Sequence, residues 1–339
     1  MRSIYSHILY GLLLFAAGIA LPVHAEDVAR NYKQLMREFV QKISRYARSW
    51  DPEFIVIPQN GNELLTADGR PGGASSPDYI RAISGIGQED LFYGYKRENR
   101  ATPKKESEYL LNLLHTARAN NIQVLATDYC RHHRKVDDSY RKNSEQGFIS
   151  FAAPNRELKI IPDYPSPVFS ENNLDITELS EARNFLYLLN PEEFETKDDF
   201  LQSLGETNYD CLIIDAFFHD SSGNSHWLKS RDVALLKTKK NGSSRLVIAY
   251  MSIGEAETYR YYWHESWDKN GDGRADPGAP DWLTEENPDW EGNYKVRYWH
   301  PGWQSIIYGN DNSYLKSIID RGFDGVYLDI IDAFDYFEE

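Results

Sequence analysis

Eight short runs of apolar or β-branched residues recur along the chain, and each run ends in polar residues. Most of the runs are continuously apolar rather than alternating, which is typical of parallel strands covered on both faces. The pattern therefore predicts eight strands, at Glu53–Asn60, Ile83–Phe92, Ile122–Tyr129, Phe148–Pro154, Asn184–Asn190, Asp210–Phe217, Arg245–Glu255 and Gly325–Asp332.

Amphipathic stretches between these runs predict helices. Apolar residues recur at a spacing of three to four between residues 28 and 48, and Thr102-Pro103 has the residue types of a helix start. A third stretch, from Ile306 to Ile319, leads into the last strand. The alternation of strands and helices predicts an α/β fold, a single (β/α)8 TIM barrel, which commonly needs about 250 residues plus insertions.

The order of these elements suggests a circularly permuted barrel. The first predicted element is a helix without a preceding strand, and the eighth predicted strand has no helix after it. In a closed ring the first helix can cover the eighth strand, so the helix and the strand that lack partners in the sequence become partners in the fold. The alternative is a truncated or incomplete barrel.

The N-terminal segment has the pattern of a secretory signal. Arg2 precedes an apolar run from Ile8 to Val23, and Val23-His24-Ala25 supplies small residues for a signal peptidase. We predict a cleaved signal peptide at residues 1–25, a single mature domain at 26–339, no membrane span after cleavage, and a secreted or periplasmic location. An uncleaved anchor is the alternative, although the run is short for a bilayer span.

Composition narrows the choice of partners. The 339 residues include 37 Lys and Arg against 52 Asp and Glu, a net charge of −15, which argues against a nucleic-acid partner. Aromatic residues make up 14% of the chain, and an acidic, aromatic-rich protein suits sugars or cationic polymers. Nothing in the composition demands an oligomer, and we expect a monomer.

Carboxylates cluster at the predicted strand ends, where TIM barrels carry their functional residues. The polar residues at these ends are Gln59, Asn60, Glu89, Asp90, Asp128, Asp215, Glu255, Asp329 and Asp332. Any one of them could simply cap a helix or a turn. Together on one rim they would raise one another's pKa values, as catalytic carboxylates do, and paired carboxylates suit glycoside hydrolysis.

Aromatic residues crowd the segment after the seventh predicted strand, where each could stack on a sugar or simply pack the segment. Trp299 is one such candidate for sugar binding. The same segment contains Asp268, Asn270 and Asp272 at the spacing of the first half of a calcium loop, but Ala279 stands where the bidentate Glu belongs. A tight Asp-Gly turn explains that segment as well, so we expect no cofactor apart from this candidate calcium site.

Arg131-His132-His133-Arg134 could suggest a metal site, but the flanking positive charges disfavour a cation. A solvated loop is the favoured interpretation there.

Five motifs resemble a known family. They are VIAYMSIGEAETYRYYW (248–263), NPDWEGNYKVRYWHPGW (287–303), GFDGVYLDIIDAFDYF (322–337), PQNGNELL (58–65) and GIGQEDLFYG (85–94). They resemble the TIM-barrel glycoside hydrolases of family 114, typified by endo-α-1,4-polygalactosaminidases, and in particular a mostly uncharacterised branch. In that family the PQNG and GQED motifs follow the YLDIID strand, whereas here they precede it, which supports the permutation.

The resemblance implies site residues and a substrate. It assigns catalysis to Asp329, as nucleophile or base, and Glu89, as general acid, although the two roles could be exchanged. The residues expected to bind substrate are Asp215, Glu255, Asp332, Tyr250, Asn60, Asp128 and Trp299. The substrate would be a polysaccharide, with a cationic, α-1,4-linked galactosamine polymer as the specific candidate.

Two other functions remain open from the sequence. The acids and aromatic rings could serve a sugar-binding barrel without turnover. A metal-dependent hydrolase could use the acids at the rim, but His residues are scarce at the strand ends.

Overall fold

The computed structural model describes residues 30–220 and 224–338. The predicted signal peptide, residues 1–25, lies outside the described residues. All eight strand predictions are confirmed, and each strand is shorter than its predicted run. The strands are β1 (Ile55–Pro58), β2 (Gly85–Glu89), β3 (Gln123–Tyr129), β4 (Ile149–Ala153), β5 (Leu186–Leu188), β6 (Cys211–Asp215), β7 (Leu246–Ser252) and β8 (Gly325–Asp329).

These eight strands run parallel and follow one another around a ring. β5, β6, β7, β8 and β1 pair in that order, and β2, β3 and β4 form a second parallel sheet. The first strand thus lies directly beside the last, with Ile55 opposite Gly325 and Pro58 opposite Leu328. All seven residues of β7 are buried, as a strand covered on both faces requires.

The two sheets meet at two seams of different character. At the β1–β2 seam, Gln59 forms a parallel β-bridge with Gly87. The backbone N–H of Asn60 donates to the Gly87 carbonyl oxygen at 2.8 Å. At the β4–β5 seam the described residues form no ladder, and contact is made by side chains such as the Phe151 and Phe185 rings, 5.7 Å apart. The parallel α/β architecture is therefore confirmed, whereas a fully hydrogen-bonded barrel is not observed.

Helices lie between the strands. They are α1 (Tyr32–Trp50), α2 (Pro77–Ala82), α3 (Lys104–Ala119), α4 (His133–Glu145), α5 (Lys197–Gly205), α6 (Ser230–Leu236), α7 (Pro301–Ile307), α8 (Tyr314–Asp320) and α9 (Asp335–Glu338). The helix predicted at 28–48 is α1, which starts where the Asn31 side chain accepts from the Gln34 amide at 2.9 Å. It buries the predicted apolar stripe, including Met36, Phe39 and Ile43.

α1 packs beside the C-terminal segment. Lys33 forms an ion pair with Glu338, and the Tyr32 and Phe337 rings lie 5.5 Å apart. The Tyr298 hydroxyl donates to the Tyr32 carbonyl at 2.8 Å. These are contacts that the permuted order requires, but the permutation itself stays a prediction.

Short antiparallel strands follow β6 and β7 along the chain. Phe217–His219 pairs with Ser225–Trp227, and Asn293–Val296 pairs with both Glu255–Glu257 and Leu283–Glu286. Much of the aromatic content after β7 packs this insertion, with Trp267, Trp282 and Trp303 buried. No helix among the described residues is long and apolar enough to cross a membrane.

Candidate active site

A cavity of about 410 Å³ opens at the carboxyl ends of the strands. This volume lies within the range of small-molecule sites, about 300–1,000 Å³. Its lining includes Asp329, Glu89, Asp215 and Tyr250, four of the residues singled out from the sequence. Five carboxylates and two guanidinium groups line it in all, an acidic excess that concentrates cations.

Asp329 is the last residue of β8 and is 7% exposed. Its Oδ2 accepts from the Tyr250 hydroxyl at 2.7 Å, and its Oδ1 accepts from the Ile330 amide at 2.8 Å. Burial, and then the nearby charge of Glu89, raise the pKa of Asp329 to about 7. The side chain is thus held in a fixed orientation and can gain or lose a proton near neutral pH.

Glu89 is the last residue of β2, two strands from Asp329 around the ring, and is 8% exposed. Its Oε1 accepts from the Tyr129 hydroxyl, and its Oε2 accepts from the side-chain amide of Asn60 at 3.3 Å. Because its charge raises the pKa of Asp329, the two carboxyl groups interact across the cavity.

Gly87 on β2 leaves room for the side chain of Tyr327, which lies on β8. A Cβ on this residue would lie 2.0 Å from the Tyr327 hydroxyl oxygen, so any larger side chain would collide with that ring. The Tyr327 hydroxyl is buried and has no hydrogen-bond partner among the described residues. Glycine at this position therefore allows the strands that carry Glu89 and Asp329 to pack around a tyrosine in the interior of the ring.

Asp215, the last residue of β6, belongs to a buried ion-pair network. Arg260 donates to Asp215 at 2.9 Å and to Glu257 at 2.6 Å. Burial alone would raise the pKa of Asp215, but the charges and hydrogen bonds of Arg260 and His219 together outweigh burial, and the pKa is lowered. His219 Nε2 lies 3.4 Å from the same carboxylate. Asp215 is thus an ionised group whose charge is already balanced.

Arg156, which the sequence analysis did not single out, also lines the cavity. It follows β4, pairs with Asp90, and lies 4.3 Å from the centre of the Tyr129 ring. Burial raises the pKa of Asp90 to about 7 in spite of this pairing. The sequence could have indicated Arg156, because this residue comes shortly after the end of the fourth strand, and the catalytic candidates also lie at strand ends.

Three of the expected substrate-binding residues lie behind the cavity wall. Asn60 contacts Glu89 rather than the cavity, since its side chain both accepts from the Glu89 amide and donates to its carboxylate. Glu255 is fully buried, with Oε1 accepting from Asn287 at 2.8 Å, and its Oε2 has no partner in the part of the chain that the structure describes. Asp332 sits in the 3-10 turn Ile331–Phe334, where burial raises its pKa to about 8.

The other two lie farther from the cavity. Asp128 points towards α4 and accepts from Ser139 at 2.6 Å, from Asn143 at 3.1 Å, and from the amides of Phe92 and Tyr93. Its carboxylate oxygens therefore serve as a buried structural anchor. Trp299 packs on the N-terminal end of α1, 5.1 Å from the Tyr32 ring. The structure brings neither side chain to the cavity.

Two exposed aromatic rings stand at the cavity. Trp290 is 40% exposed and Tyr259 is 44% exposed, and both contribute to the lining. Each ring keeps a free surface of the kind on which a sugar ring stacks.

The calcium-like segment has the hydrogen bonds of a tight turn. Asp268 Oδ1 accepts from the Gly271 and Asp272 amides at 2.9 and 3.2 Å, and Oδ2 accepts from the Gly273 amide at 3.0 Å. Calcium at this segment stays a prediction. Across the described ranges, no group of three or more His, Cys, Asp or Glu side chains is arranged to hold a metal ion.

The cavity at the carboxyl ends of parallel strands thus combines two interacting carboxyl groups with exposed aromatic rings, which are the groups that glycoside hydrolysis uses. Comparison with known proteins shows a family match over part of the chain. Residues 193–339 match the family model of glycoside-hydrolase family GH114. This segment contains β6, β7 and β8 with Asp215 and Asp329, whereas Glu89 lies outside it.

Three relatives are similar over part of the chain. An uncharacterized protein of Methanocaldococcus jannaschii is 40% identical over 174 residues, which is 50% of this chain and 44% of the relative. Uncharacterized proteins of Thermotoga maritima and Deinococcus radiodurans are 48% and 36% identical, over 27% and 40% of this chain. Those matches cover 25% and 37% of the relatives, so each relative is matched over less than half its length.

Proposed function

We propose that the protein hydrolyses O-glycosidic bonds in a polysaccharide, with Asp329 and Glu89 as the catalytic pair. The observation that carries the proposal is that both carboxyl groups line one cavity, where burial and then the charge of Glu89 raise the pKa of Asp329 to about 7. Hydrolysis of a glycoside needs one carboxyl group that is protonated and one that is ionised. Two neighbouring carboxyl groups, one of which can gain or lose a proton near neutral pH, suit this requirement.

The hydrogen bonds to Asp329 favour it as nucleophile or base with Glu89 as general acid, whereas the raised pKa of Asp329 favours the exchanged roles. Two donors, the Tyr250 hydroxyl and the Ile330 amide, hold the two oxygens of Asp329 and stabilise its ionised form. In the first assignment Glu89 is the proton donor and Asp329 is the carboxylate. Glu89 then protonates the departing glycosidic oxygen, while Asp329 attacks the anomeric carbon or activates a water molecule.

We further propose an amino-sugar polymer, such as α-1,4-linked galactosamine, as the substrate. The acidic excess of the cavity favours a cationic chain, and Trp290 and Tyr259 offer surfaces for its rings. The predicted signal peptide at residues 1–25 would place this activity in the periplasm or outside the cell.

The test is release of reducing ends from a panel of polysaccharides that includes partly deacetylated α-1,4-galactosamine polymer, chitosan, pectin and starch. We expect release from the galactosamine polymer, at a rate that a chelator does not change. Binding without release from any member would instead establish a sugar-binding protein. Loss of activity on chelation would show a metal-dependent hydrolase.

A further inference from the structure

Three cavities adjoin one another along the same face of the protein. The catalytic cavity shares Arg156 and Trp290 with a second cavity of about 290 Å³, and the second shares Arg97 and Glu98 with a third of about 520 Å³. A polymer whose scissile bond lies between Asp329 and Glu89 can therefore continue past Trp290 into the third cavity.

The charge changes sign along this path. The third cavity is lined by Arg97, Glu98, Asn99, Arg100, Arg131 and His132. We name this cavity the arginine groove. Its three guanidinium groups and single carboxylate contrast with the acidic catalytic cavity and with the net charge of −15 of the whole chain. Such a concentration of positive charge attracts anions.

The arginines of the groove are largely available for a ligand. Arg97 and Arg100 are exposed and form no ion pair with any residue in the ranges 30–220 and 224–338. Arg131 is also exposed and contacts Glu98 only at 3.7 Å, which leaves most of its donors free. The first turn of α4, next to His132, contains no acidic residue to neutralise the groove.

The backbone beneath the groove is fixed. The Asn99 side chain accepts from the Arg131 amide at 2.9 Å and from the His132 amide at 3.2 Å, and its own amide donates to the Tyr129 carbonyl at 2.9 Å. These bonds join the loop after β2 to the loop after β3. The backbone that carries the arginines is therefore fixed by hydrogen bonds. Binding an anion requires only that the arginine side chains become ordered.

We propose that the arginine groove binds the carboxylates of acidic sugar residues on one side of the bond that is cleaved. This inference rests on the proposed function and deepens it, because it makes the substrate a polysaccharide that contains uronic acids beside the cleaved sugar. Guanidinium groups match a carboxylate with paired hydrogen bonds. Cationic amino sugars occupy the acidic catalytic cavity, and the acidic sugars lie in the groove.

The probe is a short oligogalacturonate, compared with the same oligomer after its carboxyl groups are reduced to alcohols. Affinities are measured by calorimetry with the wild type and with the triple variant Arg97→Ala/Arg100→Ala/Arg131→Ala. The matched control, Arg45→Ala/Lys105→Ala/Arg231→Ala, removes the same charge from exposed positions on α1, α3 and α6 that line none of the three cavities. Circular dichroism verifies that every variant is folded.

We expect the wild type to bind the acidic oligomer about tenfold more tightly than the reduced one, with the difference falling at high salt. The groove variant should lose about that tenfold, and the control should stay within about twofold. Equal affinity for the two oligomers, or an equal loss in the control, would overturn the inference.

Reducing-end release from the polysaccharide panel, measured on the same proteins, separates the two claims. Hydrolysis by the wild type without groove-dependent binding refutes the groove and leaves the proposed function standing. Groove-dependent binding without hydrolysis of any polysaccharide refutes the proposed function and leaves the acidic-sugar site.

Discussion

Replacing Asp329 with asparagine is expected to stabilise the protein while it abolishes catalysis. The carboxyl group is buried, and its pKa rises from 3.8 to about 7 because of burial first and the charge of Glu89 second. Above pH 7 the folded protein therefore holds a buried charge that the unfolded chain exposes to water. Asparagine keeps the shape of the side chain and removes that charge.

The size of the effect follows from proton linkage. The pKa is higher in the folded state than in the unfolded state, so stability contributed by the neutral carboxyl group is lost as the pH rises through about 7. Between pH 5 and pH 7 the free energy of unfolding falls by the equivalent of about two pKa units, or roughly 3 kcal/mol. The stability of Asp329→Asn relative to the wild type should therefore increase by about 3 kcal/mol between pH 5 and pH 8.

Urea unfolding of both proteins at several pH values measures this difference. Asp215→Asn is the matched control, because Arg260 lowers the pKa of Asp215 and the group stays ionised in both states across this window. It should be destabilised by about 3–5 kcal/mol at every pH, since Arg260 loses a buried partner. A pH-independent difference for Asp329→Asn, or a penalty that grows with pH, would refute the electrostatic account.

Three further predictions concern the same site. Activity should rise as the pH rises through about 7, where Asp329 becomes ionised and can act as nucleophile or base; a fall in kcat/KM above that value would instead assign Asp329 as the general acid. Tyr250→Phe removes a donor to Asp329 and should lower kcat about tenfold with little change in KM, whereas a change in KM alone would count against a positioning role. Gly87→Ala should destabilise the protein by about 1–3 kcal/mol in urea unfolding because its Cβ meets the Tyr327 ring, and a neutral effect would show that the ring can move aside.

The sequence predicted the strands well because parallel strands buried on both faces leave continuous apolar runs. Such runs identify β7 or β8 without knowledge of their neighbours. The alternation of these runs with helices then indicated a parallel α/β fold. The seam between β4 and β5 could not be predicted, because backbone pairing there depends on how residues 154–185 cross the end of the sheet.

The direction of each strand-end side chain was harder to predict. Successive residues of a strand point to opposite faces, so a shift of one position decides whether an acid faces the cavity or the helices. Tyr129 donates to Glu89 in the interior, whereas its neighbour Asp128 bonds to α4. Knowledge of strand parity would have separated Asp128 from Glu89, but the exact ends of the runs were not known.

Arg260 illustrates a second limit. It lies among aromatic residues that drew attention as sugar-stacking candidates, yet its guanidinium is buried between Asp215 and Glu257. A buried charge needs a partner, and partners that are 45 residues apart meet only in the folded chain. Long-range ion pairs of this kind leave no periodic signal in the sequence.

The most direct test of the account is the rate of reducing-end release from the preferred polysaccharide by the wild type, Glu89→Gln and Asp329→Asn. Glu108→Gln, an exposed carboxylate on α3 outside the described cavities, serves as the matched control. We predict that each catalytic variant loses about 10³-fold or more in kcat while remaining folded, and that the control retains the wild-type rate. A folded Glu89→Gln or Asp329→Asn protein with the wild-type rate would contradict the assignment of the catalytic pair.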